Sequence, residues 1–311
     1  MKTFVTGGAG FIGSHIAEAL CRRGAKVVVL DNLSLGGLNN LAWRKKSDDL
    51  EFVQGDVTND KLVRQLMEGC EWVFHHAALP SVPLSVARPV ESHVHNLTSS
   101  LQLLVAARDA RVKRFLFASS SAIYGDSPEP LKRESDPPNP LSPYALQKYA
   151  AEKYGQLFHQ LYDLETVSFR YFNVFGPRQS FDSPYSGVIA KFCTKMLENK
   201  PPVVFGDGRQ SRDFVHVDNI VAANLQAAEA PAEKVAGKVF NLGGGESIDL
   251  LQLVAELNRL TQQELSPRFE PTRAGDVRFS RGDLTAVCRA LGYAVKVNWQ
   301  DGLKKTLDFY R

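Results

Sequence analysis

Short runs of consecutive apolar residues alternate with stretches in which apolar positions recur every three or four residues. Lys2–Thr6, Lys26–Leu30, Glu51–Gln54, Trp72–His75 and Arg114–Ala118 are the short runs and read as buried strands. Between them the 3.6-residue period predicts a helix running through Leu20, one from Asp60 to Glu68 and a long one around Val90 to Arg108. Ser142-Pro143 is a helix-start signal, with serine as N-cap and proline in the first helical position. Ala150, Ala151, Tyr154, Leu157, Phe158 and Leu161 continue that helix at regular spacing. Strands alternating with helices predict an α/β chain built on a doubly wound parallel sheet, with ligands outside the carboxyl ends of the strands. Past Asn173 the alternation breaks: Ser186–Glu198 reads as a helix, Pro202–Phe205 as a short strand and Gly206-Asp207-Gly208 as a turn. An apolar helix from His216 to Ala228 and a strand Val239–Leu242 then return to the first pattern. The expected organisation is a nucleotide-binding domain over residues 1–173, rejoined by about 213–243, and a smaller mixed α/β domain over 174–311 that is discontinuous in sequence.

Composition narrows this picture only slightly. The 311 residues are 44% hydrophobic and 23% charged, as in a soluble globular protein. The net charge of +3 and the lack of a basic cluster with interleaved aromatics argue against nucleic acid as a partner. Cys21, Cys70, Cys193 and Cys288 are scattered with neither metal nor disulfide spacing, and no apolar run is long enough to span a bilayer. With no signal peptide in the sequence, the expected location is the cytoplasm.

The first strand runs straight into Gly7-Gly8-Ala9-Gly10-Phe11-Ile12-Gly13, which satisfies G-x-G-x-x-G at Gly8, Gly10 and Gly13. Glycines are needed there because the backbone turns tightly, approaches a pyrophosphate and lets helix pack on strand, while the helix N-terminus faces the anion. Asp31 closes the second strand at the distance where an acid receives ribose hydroxyls, and no arginine follows it at once. A carboxylate there would repel a 2′-phosphate, so the pattern favours NAD over NADP. Asp56 and Val57 follow the third strand, where adenine would lie. Ala77 and Ala78 follow the fourth, where small side chains would admit the nicotinamide half. His75 and His76 lack further ligands at metal spacing and read as structural.

The fifth strand ends in Ser119-Ser120-Ser121, and the helix after it places Tyr144 and Lys148 one turn apart on one face. A tyrosine titrates near pH ~10 and is a poor base at neutral pH; an adjacent ammonium would favour the phenolate. Lowering the phenol by roughly three units needs about 4 kcal/mol of differential interaction, which a close cation in a partly dry site can supply.

Thr6 to Gly13, the serine triplet before Tyr124-Gly125, and Tyr144-x-x-x-Lys148 together resemble the extended short-chain dehydrogenase/reductase family, and within it the nucleotide-sugar 4-epimerases. Arg170-Tyr171-Phe172-Asn173, Arg212-Asp213-Phe214-Val215-His216-Val217-Asp218, Asn241-Leu242-Gly243 and Arg273-Ala274-Gly275-Asp276 extend the resemblance over essentially the whole chain. It implies Ser120, Tyr144 and Lys148 as catalytic residues and NAD as cofactor. It also puts Gly7, Phe11, Ile12, Asn32, Asn96 and Ser119 against the dinucleotide. For a UDP-sugar it implies a diphosphate clamp of Arg212 and Arg273, Asp276 on the uridine ribose, Asn173 on the diphosphate or sugar, and Ser81, Ser121, Gln179 and Val188 as further contacts. Dehydratases of the family carry Asp-Glu after the catalytic hydroxyl, where this chain has Ser121 and Ala122, so expulsion of water lacks its acid. Ser280 falls where epimerases confined to glucose and galactose have a bulky tyrosine, and a small residue leaves room for an acetamido group at C2. The resemblance therefore points to UDP-N-acetylglucosamine and UDP-N-acetylgalactosamine. An enzyme restricted to UDP-glucose and UDP-galactose is the alternative, and a UDP-glucuronate 4-epimerase stands behind it; a non-catalytic NAD-binding regulator is the rival outside enzymes. Family members commonly form homodimers through the two helices near Val90–Arg108 and Tyr144.

Overall fold

The computed structural model describes residues 1–181, 187–272 and 277–311. Six strands, β1 (Lys2–Thr6), β2 (Lys26–Asp31), β3 (Leu50–Gln54), β4 (Trp72–His75), β5 (Arg114–Ser120) and β6 (Glu165–Tyr171), are joined by a seventh, Lys238–Leu242. They form one parallel sheet in the order Lys238–Leu242, β6, β5, β4, β1, β2, β3. The order reverses between β1 and β4, and that switch point opens a crevice at the carboxyl ends of the strands.

The sheet is buried on both faces, which is why its strands are apolar runs rather than alternations. Successive residues still point to opposite sides. Val5, Val29, Phe74 and Phe169 pack with Ile16 and Leu20 of the Phe11–Arg22 helix and with Ile220 and Ala223 of the Val217–Glu229 helix. Phe4, Val28, Val73 and Phe115 pack on the other side with Met67, Leu103, Leu104 and Phe158. A third cluster gathers Phe192, Met196, Phe214, Leu253, Leu257, Leu303 and Leu307 under the smaller part of the molecule. No helix among the described residues is long and apolar enough to cross a membrane.

Several elements differ from the sequence reading. The long helix around Val90–Arg108 runs without interruption from Pro89 to Asp109 but passes through a π-helical turn at Val94–Thr98. Periodicity cannot see that turn. There Asn96 turns its amide inward to Leu79 and Gln147, while Ser99 and Ser100 donate back to the carbonyls of His95 and Asn96. The helix placed at Ser186–Glu198 spans Val188–Leu197, with Ser186 outside the described residues. The C-terminal helices Leu250–Thr261, Thr285–Leu291 and Trp299–Tyr310 have no counterpart in the sequence reading. The first was signalled by Asp249-x-x-Gln252, which forms a reciprocal capping box.

Arg114 pins the start of β5. It is 1% exposed, and its guanidinium donates to Glu165 on β6 and to the carbonyls of Ala227, Ala228 and Ala230 at the end of the Val217–Glu229 helix. Arg114→Ala should cost about 3 kcal/mol, because four acceptors lose their donor at once. The expected readout is a lower urea midpoint at unchanged slope.

Candidate active site

β1 delivers its chain to Gly7, whose φ of 69° belongs to the left-handed region. A Cβ at Gly7 would lie 2.7 Å from the Ala77 nitrogen, and one at Gly13 would lie 2.2 Å from the Gly7 carbonyl oxygen. This close approach leaves the start of the Phe11–Arg22 helix facing a cavity of about 470 Å³. Gly7, Gly10, Phe11, Ile12, Gly13, Asp31, Asn32, Val57, Ala77, Ala78 and Ser81 are on its wall, and so are Ser119, Ser120, Tyr144, Lys148 and Gln179. Gly8 is not on the wall: a Cβ there would meet the Val29 side chain at 2.6 Å, so it is a packing glycine and the cradle spacing is Gly7, Gly10, Gly13. Asp31 accepts hydrogen bonds from Ala9 N at 2.9 Å and Leu33 N at 2.8 Å, tying the end of β2 to the glycine loop. A tight glycine turn, a helix N-terminus and a carboxylate at the end of β2 fit a dinucleotide.

Two residues expected against the cofactor are also tied into the protein itself. Asn96 is 1% exposed; its oxygen accepts from Leu79 N at 2.8 Å and its amide donates to Leu79 O, Ser92 and Gln147. It fixes the 77–81 loop against the Tyr144 helix instead of facing the cavity. The Asp56 carboxylate accepts from Thr58 N, the Thr58 hydroxyl and Asn32 Nδ2. Burial pushes its pKa up, but these donors and His95 outweigh burial and hold it below the usual range.

The catalytic candidates meet where β5 ends. Ser142 caps the Pro143–Tyr162 helix by accepting from Ala145 N at 3.2 Å, so that Tyr144 stands in its first turn. Ser120 accepts from Ala122 N at 3.1 Å, and its hydroxyl lies where it favours the Tyr144 phenolate. Lys148 is 3% exposed, donates to the Ala118 carbonyl at 2.8 Å and sits 4.8 Å over the Phe117 ring. Ser119 instead turns its hydroxyl to Glu152, at 2.9 Å.

Burial sets the electrostatics of the pair. It raises the Tyr144 phenol, and the Ser120 hydroxyl opposes this. Burial brings the Lys148 amine itself down to about 7. The same dry pocket opposes charge on both groups, which weakens Lys148 as a lever on the tyrosine.

His76 and Tyr171 line the cavity and were not read as site residues. Asn224 donates to the Tyr171 hydroxyl at 2.7 Å, and that hydroxyl lies 3.0 Å from His76 Nε2. Burial, then Lys148, lowers His76 to about 3, and the ring stays neutral. His75 bridges Thr6 and Ser100 in the interior. No trio of His, Cys, Asp or Glu is placed to hold a metal among the described residues.

The substrate candidates are more dispersed. Asn173 opens the strand Asn173–Phe175, and its N–H donates to Asp213 O at 3.0 Å. Gln179 reaches the cavity; its side-chain amide donates to Val174 O, and its main-chain carbonyl accepts from the Tyr310 hydroxyl. Ser280 pairs with Arg212 in adjacent parallel strands. Arg212, Ser280, Ser121 and Val188 lie off the cavity wall, and Arg273 and Asp276 lie outside the described residues.

Sheet order, switch-point crevice and a Ser-Tyr-Lys set beside a glycine cradle define a nucleotide-binding oxidoreductase-type fold. The NAD dependent epimerase/dehydratase family model matches residues 3–243. A UDP-glucose 4-epimerase of Mycolicibacterium smegmatis is 38% identical over 313 residues, covering 100% of this chain and 99% of the relative. The solved UDP-N-acetylglucosamine 4-epimerase of Methanobrevibacter ruminantium, in complex with UDP-N-acetylmuramic acid, superposes with a TM-score of 0.94 at 37% identity, covering 99% of this chain and 97% of that one. A UDP-glucuronic acid 4-epimerase from Bacillus cereus, solved with NAD and a fluorinated UDP-glucuronic acid, gives 0.92 at 29% identity, covering 100% and 99%. The chain belongs to the NAD dependent epimerase/dehydratase family, on the side of its UDP-sugar 4-epimerases, and NAD is its cofactor.

The Lys148 amine has a signature in stability. The folded chain releases this proton near pH 7, whereas an unfolded lysine holds it to about 10.5. Between these values the unfolded state binds more protons, so this group's contribution makes stability rise with pH. Between pH 7 and 8.5 the wild-type melting temperature should gain on that of Lys148→Met.

Proposed function

We propose that the chain interconverts the C4 epimers of UDP-N-acetylglucosamine and UDP-N-acetylgalactosamine, and also of UDP-glucose and UDP-galactose, through a 4-keto sugar. The observation that carries this reading is the convergence of Ser120, Tyr144 and Lys148 on the wall of the cavity that begins at the Gly7–Gly13 cradle. Tyr144 takes the proton from the C4 hydroxyl and later returns it; Ser120, beside the phenol, orients that hydroxyl. Lys148, fixed on the Ala118 carbonyl, holds the nicotinamide ribose. When bound, NAD supplies the hydride acceptor and donor for C4 and a positive charge beside the phenol. The glycine cradle and Asp31 hold the dinucleotide. Arg212, Arg273 and Asp276 hold the UDP while the keto sugar turns its other face.

Ser121 and Ala122 offer no carboxyl group to expel water, which favours simple epimerisation. Ser280 beside Arg212 supports the N-acetylated substrates, because a serine leaves space that a phenol ring would fill. The division of labour we infer is NAD on residues 1–173 with about 213–243, and the UDP-sugar on the remainder of 174–311. A homodimer fits the exposed apolar side chains of the Val82–Ala87, Pro89–His93 and Pro143–Tyr162 helices, among them Val86, Val90, Leu157 and Leu161. The second reading, an enzyme for UDP-glucose alone, is favoured by the full-length likeness to the mycobacterial relative.

Tyr144→Phe should keep fold and bound NAD yet lower kcat by about 10²–10⁴-fold; turnover within two-fold of wild type, by a coupled assay, would remove the tyrosine from its role. Ser280→Tyr should depress kcat/KM for UDP-N-acetylglucosamine by at least ~10-fold more than for UDP-glucose. Equal loss on both sugars rejects Ser280 as the gate.

A further inference from the structure

We propose that Asp213 is a positioning residue, a carboxylate clasp that sets Arg212, Asn173 and Ser280 relative to one another and so shapes the UDP-sugar side of the site. The inference rests on the substrate roles proposed above. Asp213 is fully buried, and no part of the reaction outlined above uses it. One oxygen accepts from Gly244 N at 2.6 Å and Gly245 N at 3.1 Å; the other accepts from Gly282 N at 3.1 Å. The three donors come from two distant segments: the turn that leaves the Lys238–Leu242 strand, and the residues just beyond Ser280. The main chain of Asp213 adds a third segment, since its carbonyl accepts from Asn173 N at 3.0 Å. Arg212 is its immediate neighbour and lies in register with Ser280.

The packing agrees that the carboxylate is the fixed point. A Cβ at Gly243 would fall 2.4 Å from Asp213 Oδ2, and one at Gly282 would fall 2.7 Å from the Phe172 ring. Side chains at either position would force the segments off the carboxylate. The far side of the Ser280 segment is tied independently: Lys132 N donates to Arg281 O and Asp283 N donates to Lys132 O, both at 2.8 Å. Ser280 thus hangs from a short run of backbone anchored at Gly282 by Asp213 and on either side of it by Lys132. A buried carboxylate accepting main-chain N–H groups imposes geometry without reaching the substrate, so its loss should act through the residues it holds.

The test is Asp213→Asn, which keeps the size and one acceptor oxygen but turns an amide toward one set of donors. The expected result is a KM for UDP-sugars, and a Kd for UDP by calorimetry, raised roughly ten-fold or more, with kcat and bound NAD within about two-fold of wild type. A merely structural role would lower kcat, NAD content and melting temperature together and leave KM in place; that pattern overturns the clasp, as does an unchanged KM. If Asp213→Asn does not fold, Gly282→Ala carries the same test, because its methyl displaces the Ser280 segment from the carboxylate. A wild-type chain that binds UDP but turns over no UDP-sugar overturns the reading of the site itself, and the clasp with it.

Discussion

Arg170 and Glu152 form an ion pair under the floor of the site, 4% and 0% exposed, on which the geometry above it depends. The guanidinium meets the carboxylate through two bonds, Nε to Oε2 at 3.0 Å and Nη2 to Oε1 at 2.7 Å. Glu152 belongs to the helix of Tyr144 and Lys148, Arg170 to β6, and the same carboxylate accepts from Ser119 at the end of β5. Three elements therefore meet on one pair of oxygens. The pair also reaches outward: Arg170 donates to the Tyr124 hydroxyl, which donates to Asn241 on the Lys238–Leu242 strand. Buried pairs of this type repay their desolvation only through good geometry, so their value here lies in register more than in stability. With β5 and the helix locked, the separation of Ser120, Tyr144 and Lys148 is not free to drift.

Much of this architecture was legible because it rests on local rules. Apolar runs bounded by a glycine turn gave β1 and the Phe11–Arg22 helix, Ser142-Pro143 gave the start of the Tyr144 helix, and Asp31 marked the end of β2. What escaped is non-local. The π-helical turn at Val94–Thr98 depends on Asn96 finding Leu79 and Gln147 across the fold, and no period in the sequence records that. Gly8 and Gly7 are indistinguishable as letters; only the neighbours, Val29 for one and Ala77 for the other, decide which glycine faces the ligand. The carboxylates of Glu152 and Asp213 looked like ordinary charges in the sequence, and burial is what makes them organisers.

The polarity of the site follows from the same burial. Tyr144 and Lys148 stand one helical turn apart, and proximity in water would let the ammonium favour the phenolate. Here the amine is 3% exposed over Phe117, with Ala118 O as a hydrogen-bond acceptor, and its own pKa falls to about 7. A cation that is itself discouraged from being charged is a weak lever on its neighbour. The Ser120 hydrogen bond does lower the Tyr144 phenol, though less than burial raises it. Under the proposed function, the remaining charge must arrive with the oxidised cofactor in the adjoining cradle. That reading sets the proton acceptor and the hydride acceptor side by side in one pocket. The dryness that works against the tyrosine alone is then what lets the cofactor's charge act on it at full strength.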